Sequence, residues 1–141
     1  MTKLYGCQQN LINLNEDLKA ILEFICSESY KLTNSSIYYT RQLFFKTGQI
    51  IGKFDLEKEY KANNHYQVLY SQAVQRILNS VAESFRSFKK LDKKYCQGHL
   101  ENQTRLTNYR KGIGDAVVTY PQQALKFVGN SINIFYVITL E

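Results

Sequence analysis

The run Ser71 to Leu91, SQAVQRILNSVAESFRSFKKL, constrains the fold more than any other stretch of this chain. Val74, Ile77, Leu78, Val81, Ala82, Phe85 and Phe88 recur at steps of three and four. That spacing places them on one stripe of an amphipathic helix. Ser71 is expected as its N-cap, with the hydroxyl accepting a free N–H of the first turn. The other face, with Gln72, Gln75, Arg76, Asn79, Glu83, Arg86 and Ser87, is rich in amides and short of acid. Lys89, Lys90, Lys93 and Lys94 follow where cations suit the helix dipole. Burying the large apolar side chains of the stripe is worth roughly 9–18 kcal/mol before ordering entropy is subtracted. A helix of this kind requires covering partners from the rest of the chain.

At 141 residues the chain fits one domain with a real core. With 44% hydrophobic and 21% charged residues it is globular rather than disordered. The net charge of +6 is concentrated: residues 1–83 carry +1, residues 84–113 carry +6 and residues 114–141 carry −1. The cations of the middle block are Arg86, Lys89, Lys90, Lys93, Lys94, Arg105, Arg110 and Lys111, against Asp92 and Glu101. Such a block favours a polyanionic partner, nucleic acid or an acidic membrane, over a merely lysine-solubilised surface. Nucleic acid is the expected partner, with no membrane and no small-molecule substrate.

Cys7, Cys26 and Cys96 are an odd number at wide spacing, which argues against a disulfide framework and for reduced thiols in the cytoplasm. The N-terminus lacks the apolar core of a secretory signal, and no window is long and apolar enough to span a membrane.

Four segments are expected. Residues 1–14 read as an irregular N-terminal strand. Residues 15–91 read as a helical part. Asn15 caps its first helix, with Glu16 and Asp17 in the first turn and Leu18, Ile21, Leu22, Ile25 and Cys26 on an apolar stripe. Residues 31–36, KLTNSS, are either a turn or a polar section of one long helix, and helix resumes through Phe45. Tyr38, Tyr39, Phe44 and Phe45 suit base stacking or, with more weight, core packing. KTGQIIGKF fails as a phosphate loop, because three residues, not four, separate Gly48 from Gly52 and Phe54 follows Lys53. It reads as a loop with a short extended piece. Asp55 is expected to cap a short helix, LEKEYKA, with Glu57 and Lys61 paired, and His65 lies at the helix end.

Residues 92–115 read as a basic connector. Cys96 and His99 form half a metal-ligand pair with no second half nearby, so no metal is expected. Arg105, Tyr109, Arg110 and Lys111 interleave charge with an aromatic ring, suited to phosphate contacts and one stacking contact. Residues 116–141 read as strands: AVVTY stopped by Pro121, then two runs flanking the hairpin-turn signal Gly129-Asn130-Ser131, then an apolar run to the chain end. The order of segments is α+β: a helical bundle followed by β-strands. No catalytic triad, paired acidic site or cofactor motif is present, so the chain is not expected to be an enzyme in its own right and no catalytic residue is assigned.

Three stretches resemble one family. FICSESYKLTNSSIYYTRQLFFKTGQIIGKFDLEKEYK, HYQVLYSQAVQRILNSVAESFRSFKKL and RLTNYRKG followed by VVTYPQQALKF are similar to the N-terminal region of OrfB/TnpB-type insertion-sequence transposases. Full members of that family are RNA-guided DNA endonucleases. The resemblance covers roughly residues 5–134. It implies an incomplete wedge-type β-barrel interrupted by a helical recognition insertion, with guide-type RNA or DNA as partner and no cofactor in this part. The family's nuclease domain and zinc ribbon have no counterpart in the sequence, so the resemblance implies a truncated protein whose last residues, after about Ile134, are foreign to the family. Thr107 stands where the family usually has proline. Nucleic-acid contacts are expected from Arg76, Arg86, Lys89, Lys90, Lys93, Lys94, Arg105, Tyr109, Arg110 and Lys111. The rival expectations are a small helical DNA-binding regulator and a non-functional remnant.

Overall fold

Two long helices carry the architecture of the computed structural model, which describes residues 3–112 and 114–134. The first, α1 (Glu16–Thr47), begins where Asn15 Oδ1 accepts the Leu18 N–H at 2.9 Å, with Glu16 and Asp17 in the positive first turn. It ends at Gly48, whose φ of 68° is the left-handed conformation that glycine adopts without strain, and whose N–H donates to Phe44 O. No turn interrupts it at residues 31–36. The polar residues there form a buried stripe of hydroxyls, Ser29, Thr33, Ser36 and Thr40. Thr33 Oγ1 donates to Ser29 O (2.7 Å), Ser36 Oγ to Thr33 O (2.9 Å) and Thr40 Oγ1 to Ser36 O (2.8 Å). Thr33, Ser36 and Thr40 are satisfied by their own helix and Ser29 by the returning chain at Val117 O, so burial leaves no donor of the stripe unpaired.

α2 (Lys53–Tyr60) starts three residues earlier than the sequence suggests. Gly52 is its N-cap, and Asp55 lies within the first turn, where its charge still meets the positive helix end. Lys61 falls beyond the helix end, so the expected pairing with Glu57 does not form. After the short α3 (Asn64–Gln67), α4 (Ser71–Cys96) runs through and past the predicted helix, taking the first residues of the expected connector with it. Its N-cap is Tyr70, not Ser71, and no side chain caps it. Ser71 is already the first helical residue.

The core is the predicted α4 stripe covered by the other helices. Val74, Ile77, Leu78, Val81, Ala82 and Phe85 pack with Ile25, Leu32 and Ile37 of α1, with Leu56 and Tyr60 of α2, and with Leu69. Phe88 is half-buried, edge-on to Phe44 at 5.8 Å. Thr33 and Ile37 share a cleft with Ile77, Ser80 and Val81, and Phe44 meets Phe88, so contacts advance in step and α1 and α4 run in the same direction. The N-terminal part of the α1 stripe is less covered than expected: Leu18 is exposed, and Ile21, Leu22 and Cys26 are only half-buried.

Residues 97–112 and 114–124 run back along both helices, and these described residues form no strand. The AVVTY segment, rich in strand-favouring side chains, has no neighbouring strand to pair with among the described residues. Its backbone is answered by α1 instead: Ala116 N–H donates to Cys26 O (3.2 Å), and Ser29 Oγ donates to Val117 O (3.2 Å). Leu106 and Val118 pack against the core. A one-turn 3₁₀ helix (Gln122–Ala124) leads into the hairpin of β1 (Leu125–Val128) and β2 (Ser131–Ile134), paired antiparallel from Leu125↔Ile134 to Val128↔Ser131. Gly129, with φ of 57°, opens its two-residue turn. In place of the expected N-terminal strand over 1–14, the described residues 3–14 carry no regular structure and pair with no strand among the described residues. The side chain of His65 and the apolar run 135–140 lie outside the described residues. Among the described residues no helix is long and apolar enough to cross a membrane.

Candidate nucleic-acid interface

The ten predicted contact residues divide between two surfaces. The first is the C-terminal half of α4. Arg86, Lys89, Lys90 and Lys93 are spaced so that they share one flank of the helix, and all four are exposed. From Arg86 to Lys93 the stripe extends about 10 Å along the axis. Asp92, the one acid between Arg86 and Lys94, follows Lys89 by three residues and sits about 60° round the helix from it, toward the core. There it accepts a hydrogen bond from Thr104 Oγ1 at 3.0 Å and ties the returning chain to α4. Glu83, three residues before Arg86, is the other acid beside the stripe, and neither acid forms an ion pair with it among the described residues. Lys94 sits on the next row of the helix.

The second surface is a cleft of about 690 Å³ between α1, α4 and the returning chain. Its floor includes Thr33, Ile37, Ile77 and Val81, and one wall carries Arg76, Ser80 and Ser84 of α4. The opposite wall is the segment 107–111, with Tyr109, Arg110 and Lys111. Arg76, Arg110 and Lys111 give the lining three cations and no carboxylate. Arg105 belongs to neither group: it lies over a separate shallow cavity shared with Glu83, Ser87 and Leu91. Arg76 and Lys94 are eighteen residues apart on one helix, about 27 Å, so the predicted set is not a single cluster. No predicted cation enters an ion pair among the described residues; the two pairs present, Lys19–Glu23 and Lys31–Glu28, both lie within α1.

Two residues that sequence reasoning did not single out for the site hold its wall in place. The Asn34 carboxamide grips the backbone of Arg110 in both directions. Arg110 N–H donates to Asn34 Oδ1 at 2.8 Å, and Asn34 Nδ2 donates to Arg110 O at 3.2 Å. Arg41 Nη1 donates to Thr107 O at 2.8 Å, and its guanidinium lies 5.4 Å from the Tyr109 ring centroid and 5.5 Å from that of Phe45. These are cation–π distances. Nothing in the sequence links residue 34 to 110 or 41 to 109, because the contacts arise only when the chain folds back over α1.

The remaining titratable features are structural. Burial raises the Cys26 thiol above its ordinary value, and nearby Asp115 raises it further. Burial likewise raises Tyr60, Tyr66 and Tyr120. No group of three or more His, Cys, Asp or Glu residues suited to a metal occurs among the described residues. No protein-family model, curated protein or solved structure matches the chain.

Proposed function

We propose that this chain binds nucleic acid, with the α4 stripe of Arg86, Lys89, Lys90 and Lys93 as its main backbone contact. The observation that carries the reading is a localised charge excess set on one exposed flank and left without ion pairs among the described residues. A merely solubilising lysine surface commonly pairs acids with its cations, whereas the two acids beside the α4 stripe, Glu83 and Asp92, form no ion pair with it among the described residues. The cleft with Arg76, Tyr109, Arg110 and Lys111 supplies a second contact.

The resemblance to OrfB/TnpB-type transposases supports the same reading and gives it a setting. On that view the helices act as a recognition part, the hairpin belongs to a wedge-type barrel, and base pairing between a guide RNA and its target reads sequence while the protein holds backbones. The cytoplasm is the compartment this implies. No described residue is given a catalytic role.

The test is fluorescence anisotropy of the full chain with labelled RNA and DNA at several salt concentrations. Binding weakens steeply with salt, and charge reversal at Lys89, Lys90, Lys93 and Lys94 together weakens it most. Salt-independent affinity, or an undiminished quadruple variant, contradicts the reading. Pull-downs with and without RNase separate an RNA-dependent binder from a regulator that recognises duplex DNA alone.

A further inference from the structure

The α4 stripe and the cleft differ in shape, and the difference points to different ligands. The stripe is a convex helix flank that can follow a phosphate backbone in any strand state. The cleft is concave, and its volume of about 690 Å³ falls in the ~300–1,000 Å³ range of small-ligand sites. We infer that this cleft takes an unpaired nucleotide of a single strand, with phosphates on Arg76, Arg110 and Lys111 and the base against the open face of Tyr109. The inference rests on the proposed nucleic-acid binding and specifies what one part of it recognises.

Three observations carry it. First, the lining joins three cations with no carboxylate, so an anion entering meets attraction only. Second, Tyr109 has one ring face against the Arg41 guanidinium and is still 37% exposed, which leaves the other face for a base. A base inside a duplex is stacked between its neighbours and cannot offer a face to that ring. Third, the wall is fixed before any ligand arrives. Arg41 is held by Thr107 O and by Phe45, and Asn34 clamps the Arg110 backbone from both sides. Binding therefore pays little ordering entropy at the Tyr109 ring and at the Arg110 backbone. Ile37, Ile77 and Val81 on the floor offer apolar contact, and Thr33, Ser80 and Ser84 offer hydroxyls, a mixture that tolerates any base. Arg41 and Asn34 are positioning residues; Tyr109, Arg76, Arg110 and Lys111 touch the ligand.

The experiment measures full-chain affinity for a short oligouridine, the matching oligodeoxythymidine, and a duplex of equal length. Tyr109→Ala lowers single-strand affinity by roughly 5- to 150-fold, the range of one lost base–aromatic stack. The ratio of single-strand to duplex affinity falls with it, and Tyr109→Phe, which keeps the ring, preserves that ratio. Arg41→Ala lowers the ratio less than Tyr109→Ala does. A preference for the ribo- or the deoxy-oligonucleotide, lost in Tyr109→Ala, identifies which strand is bound. An unchanged ratio in Tyr109→Ala, with melting temperature intact, overturns the inference while leaving the α4 stripe standing. Absence of binding to all three probes in the wild-type chain overturns both the inference and the reading beneath it.

Discussion

Neutralising the α4 stripe by Arg86→Gln, Lys89→Gln, Lys90→Gln and Lys93→Gln tests its role quantitatively. The stripe extends about 10 Å along the helix axis, and phosphates of one strand recur about every 3.4 Å along a duplex, so it can face about three phosphates. Each neutralised phosphate contributes about −0.9 to the slope of log affinity against log salt, so the stripe supplies about −2.7. Between about 50 and about 200 mM salt that slope alone weakens binding roughly 40-fold. The variant is expected to lose this component and to show a correspondingly shallower slope. Glutamine keeps good helix propensity, and all four sites are exposed, so stability stays within about 0.5 kcal/mol. Anisotropy titrations at four salt concentrations, with circular dichroism to verify the helix, provide the assay. A variant slope equal to that of the wild type refutes the reasoning, because the stripe then contacts no phosphates.

Other perturbations test the fold. Phe85→Ala empties a wholly buried site on α4 and is expected to cost about 3–5 kcal/mol in urea denaturation. Asn15→Ala removes the α1 cap hydrogen bond and costs about 1 kcal/mol, whereas Ser71→Ala, which removes no cap, changes stability by less than about 0.5 kcal/mol; thermal melts distinguish the two. Tyr60 and Tyr120 are raised above their ordinary value of 10.0 by burial, so the folded state holds their protons more tightly than the unfolded state does. The stability this gives is fully present below about pH 10 and is lost as pH rises through the raised values. The double variant Tyr60→Phe/Tyr120→Phe should therefore show a flatter decline when denaturation midpoints at about pH 9 and about pH 11 are compared.

What could be read from the residues alone follows a physical division. The α4 stripe was legible because its period is local and every member serves one core. Asn15 was legible as a cap because its partner lies three residues away. The continuity of α1 was not, since KLTNSS has the composition of a turn. Thr33 and Ser36 settle the matter by bonding back to their own helix while buried. The AVVTY segment misled in the opposite way: strand propensity is realised only beside another strand, and here Cys26 O and Ser29 Oγ take that place. The hairpin was legible because Gly129-Asn130 encodes its own turn. Among the candidate contacts, the cations could be counted, but their division into a stripe and a cleft depends on where residues 104–112 and 114–118 cross α1 and α4. Asn34 and Arg41, which fix that crossing, carry no local signal.

The central claim is that nucleic acid meets this chain on the exposed flank of α4 and in the cleft beside it. A heteronuclear NMR titration of the isotope-labelled full chain with a short oligonucleotide at low salt tests it most directly. The account predicts amide shifts concentrated at residues 86–94 and 107–111 and at Arg76, reversed by added salt. Shifts confined to the hairpin or to the N-terminal turns of α1, or a spectrum unchanged by the oligonucleotide, contradict it.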